Sequence, residues 1–448
     1  MSLIIISIFL IGYLFITFEH FTKIDKLIPA LLMMTLSWAV ISMNIDQIHS
    51  WFDAFKNGYS DISYFKLHNK RELLNDTLLH HFGKTAEILI FLMGAMTIVE
   101  LIDHFDGFQA FQRYISTDKK YKLLWIVSML SFFLSAIIDN LTATIVMVTI
   151  LRKIVSDKEM RWWYAGFVII AANAGGAWTP IGDVTTTMLW IAGKVSTGKL
   201  MTFLLIPSLI SILIPLFLAK FLKAFQGTLI QSEIQLKLKK NSVFMLIFGI
   251  IAIVFVPIFK TITHLPPYVG MMFSLSIYAI VSEVMSKRMI KLTYGKQTEE
   301  IVHHSPTLRA ISKIEMTSVL FFLGILMTVA SMETLGVIHS IGQSVGNYLP
   351  EWLFVYLIGV FSAIVDNVPL VAASMGMFSN QIDASVWHLI AYSAGTGGSL
   401  LIIGSAAGVV VMGLEQISFA WYIKRIAPLA FIGFTLGFMV LITIELLY

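Results

Sequence analysis

The sequence contains no cysteine, which excludes disulfide bonds and thiolate chemistry. It is also poor in charge: only 13% of its 448 residues are Asp, Glu, Lys or Arg, whereas 57% are hydrophobic. Its mean hydropathy of +0.82 lies far above that of soluble globular domains. The net charge of +4 gives no reason to expect a nucleic-acid partner. The composition predicts a multi-pass protein of the plasma membrane or bacterial inner membrane, in contact with the lipid bilayer.

Ten apolar segments are long enough to cross a bilayer, since a helical span needs about 20 residues. They occupy residues 2–18, 27–43, 86–102, 163–193, 200–219, 241–259, 267–285, 316–332, 386–413 and 427–447. Two further apolar stretches, 123–151 and 351–378, are too long for one straight helix and carry an Asp-Asn pair near the middle. We interpret each of these two as a re-entrant hairpin.

Loop charge predicts the sides of the membrane, because cytoplasmic loops are enriched in Lys and Arg. Most of the 31 basic residues fall in loops that we therefore assign to the cytoplasm: 19–26, 103–122, 152–162, 220–240, 286–315 and 414–426. The flanks of the second hairpin, 333–350 and 379–386, contain no Lys or Arg and are assigned to the outside. The loop 44–85 is also placed outside and is expected to hold an interfacial helix. The two hairpins then enter from opposite sides.

Each half of the chain has five spans and one hairpin, and an odd number of spans reverses the orientation of the second half. The predicted fold is an all-α polytopic membrane protein, built as an inverted-topology repeat with two broken helices. The predicted first repeat covers 1–225 and the second 226–448. Scaffold helices are expected at 1–82 and 241–285, and the hairpins and broken helices at 83–225 and 316–448.

One motif occurs in both hairpins: Ser-Ala-Ile-Ile-Asp-Asn at 135–140 and Ser-Ala-Ile-Val-Asp-Asn at 362–367. It places Asp139 and Asp366 where an ionisable group costs roughly 2.5–3.5 kcal/mol near the bilayer centre, which favours a functional role. Asp is also a good helix N-cap, and capping can coexist with binding. A duplicated site inside the membrane predicts a transporter.

A glycine-rich segment follows each hairpin, at 173–183 and at 393–405, and cannot continue comfortably as a helix. Irregular backbone inside a membrane is tolerated where it lines a polar cavity or binds something. Both segments are therefore predicted to break a helix opposite a hairpin tip. The second has no carboxylate equivalent to Asp183, so the two half-sites are expected to differ in charge.

Carboxylate, amide and hydroxyl oxygens are the ligands that hard cations prefer, and these four segments contain no Lys or Arg. We therefore predict a cation site for Na⁺ in which Asp139, Asp183 and Asp366 carry the cation or a proton. The first predicted half-site consists of Asp139, Asn140, Thr142, Asn173, Thr179 and Asp183. The second consists of Asp366, Asn367, Ser393, Thr396 and Ser399. Secondary candidates are Ser135, Ser362, Glu87 and Glu100, whereas His80, His81, His303 and His304 are interpreted as solvated loop residues.

At these motifs the sequence resembles the NhaD-type sodium/proton antiporters of the ion transporter superfamily, which also contains arsenite permeases and divalent anion/sodium symporters. The resemblance covers roughly residues 80–448 and includes Gly94-Ala-Met-Thr97 and Thr142-Ala-Thr144. It implies exchange of Na⁺ or Li⁺ for H⁺ by alternating access, without a cofactor, in a homodimer with a fixed scaffold and a mobile hairpin domain. In the symporter branch the tip reads Ser-Asn-Thr; the aspartate found here favours an acidic proton carrier.

Two other functions stay open from the sequence. An arsenite-type or anion permease could use the same fold. An intramembrane aspartyl protease could use two aspartates that share a proton, although the repeated Asn and the Gly breaks fit an enzyme poorly. The prediction is a secondary transporter rather than an enzyme.

Overall fold

A computed structural model gives the structure of the chain and describes residues 1–53, 58–115, 117–229, 241–294 and 305–447. The predicted cytoplasmic loops at 230–240 and 295–304, with His303 and His304, lie outside the described residues. The helices of the first half are α1 (Ser2–Thr17), α2 (Glu19–Thr22), α3 (Leu27–Met43), α4 (Leu67–His104), α5 (Lys120–Ile138), α6 (Asn140–Ile154), α7 (Lys158–Gly176), α8 (Val184–Ile191) and α9 (Thr197–Ala219). Those of the second half are α10 (Ser242–Thr263), α11 (Pro267–Tyr294), α12 (Pro306–Lys313), α13 (Met316–Thr334), α14 (Val337–Tyr348), α15 (Glu351–Phe361), α16 (Asn367–Met377), α17 (Ser385–Gly397), α18 (Ala406–Glu415), α19 (Phe419–Arg425) and α20 (Ala427–Leu447).

Seven of the described helices are long and apolar enough to cross a membrane, or eight if the bent pair of α18 and α19 forms one span. Helices α1 and α3 are apolar but have only 16 and 17 residues. The predicted spans 163–193 and 386–413 are each divided into two helices, α7 with α8 and α17 with α18. The predicted multi-pass character is confirmed, and the chain leaves helical geometry at both glycine-rich segments.

The region 44–85 differs from the prediction of a loop with an interfacial helix. It contains an antiparallel pair of strands, β1 (Ser50–Asp53) and β2 (Gly58–Asp61), and then the first half of α4, which has 38 residues. Hydropathy finds only the apolar part of α4, whereas its polar start is rich in helix-forming residues. His80 and His81 consequently lie within a helix, and His81 is buried, so their interpretation as solvated loop residues is wrong.

Short polar helices were also missed, because hydropathy detects only apolar segments. They are α12, α14, α19 and the 3-10 helices Ile45–Gln47, Gly107–Tyr114 and Lys223–Phe225. These elements connect the apolar helices.

Helices α5 and α6 form a hairpin whose two open ends lie at the start of α7. The Tyr164 hydroxyl donates to the carbonyl oxygen of Lys120, at the start of α5, over 3.0 Å. The Arg161 guanidinium donates to the carbonyl oxygen of Val155, just after α6, also over 3.0 Å. The chain therefore turns back at Asp139, between the two helices.

Helices α15 and α16 repeat this arrangement in the second half. The ring centroids of Phe354, near the start of α15, and Phe378, just after α16, are 6.0 Å apart. Phe378 also lies 6.3 Å from Trp387, near the start of α17. The open ends of the second hairpin thus meet at the start of the second broken helix.

Contacts between loops at one end of the molecule join segments that share a predicted cytoplasmic position. The Leu229 amide donates to the carbonyl oxygen of Asp118 over 2.7 Å. Arg161 forms an ion pair of 3.0 Å with Glu415, whose side chain is only 2% exposed. Both contacts connect basic segments that lie far apart in the sequence.

The opposite end joins segments that were assigned to the outside. The Tyr59 hydroxyl on β2 donates to the carbonyl oxygen of Gly336 over 3.1 Å. The Ser196 amide donates to the Asp383 carboxylate over 2.6 Å. The loop contacts agree with the grouping of loops into two sides, while the cytoplasmic identity of one side, the inverted repeat and the division at residue 225 stay predictions.

Helices α3 and α13 pack against each other and join the two halves. The Trp38 indole donates to the carbonyl oxygen of Met327 over 2.8 Å. A Cβ atom on Gly324 would lie 2.7 Å from the Ala30 carbonyl carbon, so the two backbones are in direct contact. The start of α3 is thereby held beside the middle of α13.

Candidate cation-binding site

Asp139 forms the tip of the first hairpin and caps α6. Its carboxylate accepts from the Thr142 amide at 2.8 Å and from the Thr142 hydroxyl at 2.9 Å. Its φ of 105° is in the region that favours glycine; a residue held there costs about 1–3 kcal/mol, and such strain is concentrated at functional sites. The predicted pairing of Asp139 with Thr142 is therefore a local cap on a strained turn.

Asp366 occupies the matching position in the second hairpin but has different partners. Its φ is −47°, and one carboxylate oxygen accepts from the Val368 amide at 3.2 Å. The other oxygen lies 3.4 Å from Nζ of Lys26, which immediately precedes α3. Lys26 was not among the predicted site residues, because it lies in a loop far from both motifs along the chain.

Asp183 lies between the two tips, at the N-cap position of α8, with only 3% of its surface exposed. One carboxylate oxygen accepts from the Asn140 amide at 3.2 Å, and the other accepts from the Asn367 amide at 3.2 Å. The second oxygen also accepts from the Thr185 hydroxyl at 2.5 Å. Among the described residues no Lys, Arg or His forms an ion pair with Asp183. One buried carboxylate thus receives the amides of both hairpins.

Asn173 extends this network towards the second broken helix. Its carbonyl oxygen accepts from the Asn140 amide at 3.1 Å, and its own amide donates to the Ser405 hydroxyl at 3.1 Å. Ser405 occupies the N-cap position of α18 as Asp183 occupies that of α8, with nearly the same backbone angles: φ −143° and ψ 154° against φ −146° and ψ 148°. We call Asn140, Asn173, Asp183, Asn367 and Ser405 the polar hub. Ser405 was absent from the predicted site, although its place in the glycine-rich segment could have indicated it.

Matching glycines bring the broken helices against the hairpins. A Cβ atom on Gly175 would lie 2.1 Å from the carbonyl oxygen of Phe132, and one on Gly397 would lie 2.2 Å from that of Gly359. Real Cβ atoms do not approach so closely, so these two positions require glycine. Main chain therefore touches main chain in both halves.

Hydrogen bonds from hairpin serines reinforce the same contacts. The Ser135 hydroxyl donates to the carbonyl oxygen of Ala172 over 2.6 Å, and the Ser362 hydroxyl donates to that of Ala394 over 3.1 Å. Both carbonyls lie in the helix that ends at the neighbouring break. Ser135 and Ser362, predicted as secondary site residues, are placed by the structure at these helix contacts.

The other predicted hydroxyl groups lie outside the polar hub. Thr179 donates to the carbonyl oxygen of Ala136 at 2.6 Å, which ties the first break to the first hairpin. The hydroxyls of Thr396 and Ser399 donate to backbone carbonyls of their own segment, at 2.5 and 2.7 Å. The Ser393 hydroxyl is buried and has no hydrogen-bond partner among the described residues.

The two glutamates predicted as secondary candidates lie elsewhere. Glu100 pairs with Lys313 at 3.5 Å, near the end of α4. Glu87 lines a cavity of about 770 Å³ between α4, α8, α13 and α16. The charged residues of this cavity are Asp76, Lys84, Glu87, Lys194 and Glu333. The cavity reaches Ile191 at the C-terminal end of α8, whereas Asp183 caps the opposite end.

The polar hub combines carboxylate, amide and hydroxyl oxygens in a buried position, which fits the ligand preference of a hard cation such as Na⁺. An anion would instead favour Arg, Lys or uncapped helix N-termini. The N-terminus of α8 carries the Asp183 carboxylate, and no Lys or Arg belongs to the hub. The arrangement favours a cation or a proton.

Comparison with known proteins identifies the family to which the chain belongs. The family model described as "Citrate transporter", CitMHS, matches residues 13–390. The chain belongs to the CitMHS family. Within this family it is 40% identical to Sodium/proton antiporter 1 of Arabidopsis thaliana, over 96% of this chain and 70% of that protein. It is 38% identical to Sodium/proton antiporter 2 of the same plant, over 98% of each chain.

A bacterial relative carries the name that the sequence motifs indicated. The chain is 31% identical to the Na(+)/H(+) antiporter NhaD of Vibrio cholerae, over 91% of this chain and 84% of that protein. The resemblance to NhaD-type antiporters is confirmed.

A solved structure shows the same fold. The YdaH transporter of Alcanivorax borkumensis is 11% identical and has a TM-score of 0.60, covering 94% of this chain and 99% of its own. At this identity the likeness concerns the fold alone. The predicted helical fold of the ion transporter superfamily is confirmed.

Proposed function

We propose that the protein is a secondary antiporter that exchanges Na⁺, or Li⁺, for H⁺ across the membrane. The observation that carries the proposal is Asp183: it is buried, accepts amides from both hairpin tips and has no cationic partner among the described residues. The names of the Arabidopsis and Vibrio relatives point to the same exchange.

One carboxylate is sufficient to couple the two ions. Burial disfavours a bare negative charge, so a desolvated carboxylate needs either a proton or a cation. We propose that Na⁺ and H⁺ alternate on Asp183, with Asn140, Asn173 and Asn367 holding the carboxylate and supplying oxygen ligands. Asp139 and Asp366 are proposed as the further proton or cation carriers at the two tips, with Thr142 next to Asp139.

Alternating access would expose the polar hub to each side in turn. The glycine contacts and the serine hydrogen bonds tie each hairpin to its neighbouring broken helix. We propose that these elements move as one unit against the scaffold helices expected at 1–82 and 241–285, and that two chains form a homodimer through the scaffold. Chemical crosslinking in native membranes tests the dimer.

The rival functions have weaker support. The name of the family model suggests an organic anion, but an anion would meet the Asp183 carboxylate in a hub that has no basic residue. An aspartyl protease needs two carboxylates that share a proton. Asp139 and Asp366 each cap a different helix instead, and the named relatives are transporters.

The deciding experiment measures the collapse of a pH gradient in everted vesicles that contain the protein, with Na⁺, Li⁺, K⁺, citrate or arsenite added separately. We expect collapse with Na⁺ and Li⁺ for the wild type and none for Asp183→Asn. A wild type that responds only to citrate or arsenite contradicts the proposal. So does an Asp183→Asn variant with full Na⁺ response.

A further inference from the structure

An ion pair connects the scaffold of the first half with the hairpin of the second. Nζ of Lys26 lies 3.4 Å from the Asp366 carboxylate and 4.5 Å from the centre of the Phe321 ring. The side chains of Lys26 and Asp366 are only 24% and 15% exposed, so salt screens their attraction less than at the surface. A primary ammonium thus occupies the position at Asp366 that a bound cation would take.

The other two aspartates of the site have no such partner. Among the described residues, neither Asp139 nor Asp183 forms an ion pair with Lys, Arg or His. Asp139 is held by Thr142, and Asp183 by two amides and a hydroxyl. Among the described residues, a lysine ammonium therefore lies beside the aspartate of the second tip and not beside that of the first.

We propose that Lys26 acts as a built-in competitor at Asp366: its ammonium neutralises the carboxylate while Na⁺ is absent and must leave before Na⁺ binds there. Na⁺ then competes at Asp366 with an ammonium rather than with a proton. This assignment rests on the proposed Na⁺/H⁺ exchange and adds a residue that sets the apparent affinity for Na⁺ at the second tip.

The groups around Asp366 define what removal of Lys26 would do. Tyr13 on α1 has a buried hydroxyl with no hydrogen-bond partner among the described residues and interacts electrostatically with Asp366. Asp183, at the N-terminus of α8, adds a negative charge nearby. Without Lys26, neither group neutralises the Asp366 carboxylate, so Na⁺ would bind there without first displacing an ammonium.

The first test compares wild type, Lys26→Met and Lys26→Arg in everted vesicles, with the apparent KM for Na⁺ measured from mildly acidic to alkaline pH. Removal of the competing ammonium lowers the apparent KM for Na⁺, and every 1.4 kcal/mol of lost competition is about a tenfold change. We expect a KM profile that lies about tenfold lower in Lys26→Met and close to wild type in Lys26→Arg. The matched control is Lys158→Met, whose exposed ammonium lies at the Gln416 amide oxygen and the Trp162 ring; its profile should equal that of wild type.

The absence of cysteine allows a second test on a single folded protein. In Lys26→Cys, a methanethiosulfonate that carries an ethylammonium group restores the positive charge, whereas methyl methanethiosulfonate adds a neutral group. We expect only the ammonium reagent to return the KM profile to that of wild type, even if Lys26→Met does not accumulate in the membrane.

The outcomes separate this inference from the function on which it rests. If the wild type exchanges Na⁺ for H⁺ and the profiles of Lys26→Met and of both modified Lys26→Cys proteins superimpose on it, Lys26 is not a competitor. If the wild type shows no Na⁺-dependent exchange, the proposed function itself is wrong.

Discussion

The two hairpin tips have nearly the same sequence but different chemical surroundings. Both aspartates cap the next helix, and both neighbouring asparagines donate to Asp183. Asp139, however, sits on a strained turn without an ion pair among the described residues, whereas Asp366 has a relaxed backbone and contacts Lys26. The two tips thus share their capping role and their contacts with Asp183, but they differ in backbone angle and in the charge beside the aspartate. A shared motif therefore predicts where a tip lies, but not its backbone conformation or its ionic partner.

The two broken helices also have similar backbone geometry and different charge. Asp183 and Ser405 occupy the N-cap positions of α8 and α18 with nearly identical backbone angles, yet only Asp183 of the two carries a charge. The two half-sites expected from the sequence are better described as one hub that shares a single central carboxylate. The following predictions test how far the two halves are equal.

The largest effect is expected for Asp183→Asn, which removes the one carboxylate of the described residues that accepts hydrogen bonds from both tips. A hydrogen bond to a charged group contributes about 1.5–3 kcal/mol, and every 1.4 kcal/mol is about a tenfold change in affinity. We therefore expect the apparent Na⁺ affinity to fall by about 100-fold or exchange to disappear. The control Asp157→Asn alters another N-cap aspartate, at α7, and should keep wild-type exchange. Equal Na⁺ affinity in both variants contradicts the central role of Asp183.

Asp139→Asn separates the charge of the first tip from its capping role. Asn caps a helix as well as Asp and tolerates positive φ, so the thermal stability of the detergent-solubilised protein should stay near wild type. Na⁺/H⁺ exchange should fall at least about tenfold, because loss of one charged interaction costs at least about 1.4 kcal/mol. Asp139→Ala should in addition lower the stability by about 1 kcal/mol, because the cap is lost. If Asp139→Asn exchanges at the wild-type rate, Asp139 is a cap only.

Gly175→Ala and Gly397→Ala test the equality of the two main-chain contacts. An added Cβ would lie 2.1 Å from the Phe132 carbonyl oxygen in one variant and 2.2 Å from the Gly359 carbonyl oxygen in the other. Overpacking costs about 1–3 kcal/mol, and we expect similar losses of thermal stability in the two proteins. Gly83→Ala, where a Cβ meets no atom within 4 Å, is the control. A large loss in only one half would show that the halves are not equivalent in packing.

The smallest effect is expected for Ser135→Ala and Ser362→Ala. Each removes one buried hydrogen bond to a neighbouring helix, at 2.6 and 3.1 Å. Such bonds within membrane proteins contribute about 0.6 kcal/mol on average. Thermal denaturation in detergent should show slightly lower stability for both, with the shorter bond of Ser135 contributing more; the reverse order would contradict this ranking.

Local patterns predicted the parts of the molecule that depend on adjacent residues. The repeated Asp-Asn pairs located both tips, and the glycines of segment 173–183, together with Pro180, located the first helix break. Asn140, Asn173, Asp183 and Asn367 were named from the sequence, and the structure brings these four together.

The other features of the site depend on contacts between distant residues, which no local sequence pattern contains. Lys26 reaches Asp366 only because α3 packs along α13. Thr396 and Ser399 were selected for their oxygen atoms, but the helical backbone offers nearer acceptors for their hydroxyl groups. Ser405 was passed over because a neutral cap has no distinctive sequence pattern, although it occupies the position of Asp183.

The main-chain contacts at Gly175 and Gly397 have a consequence for how such a protein can evolve. Because these contacts involve backbone atoms, they do not depend on the charge of the side chains at a tip or a break. Charged and neutral side chains can therefore replace one another there, and a distant lysine can be acquired, without compensating core mutations. Ion preference can drift among relatives while the fold is inherited intact.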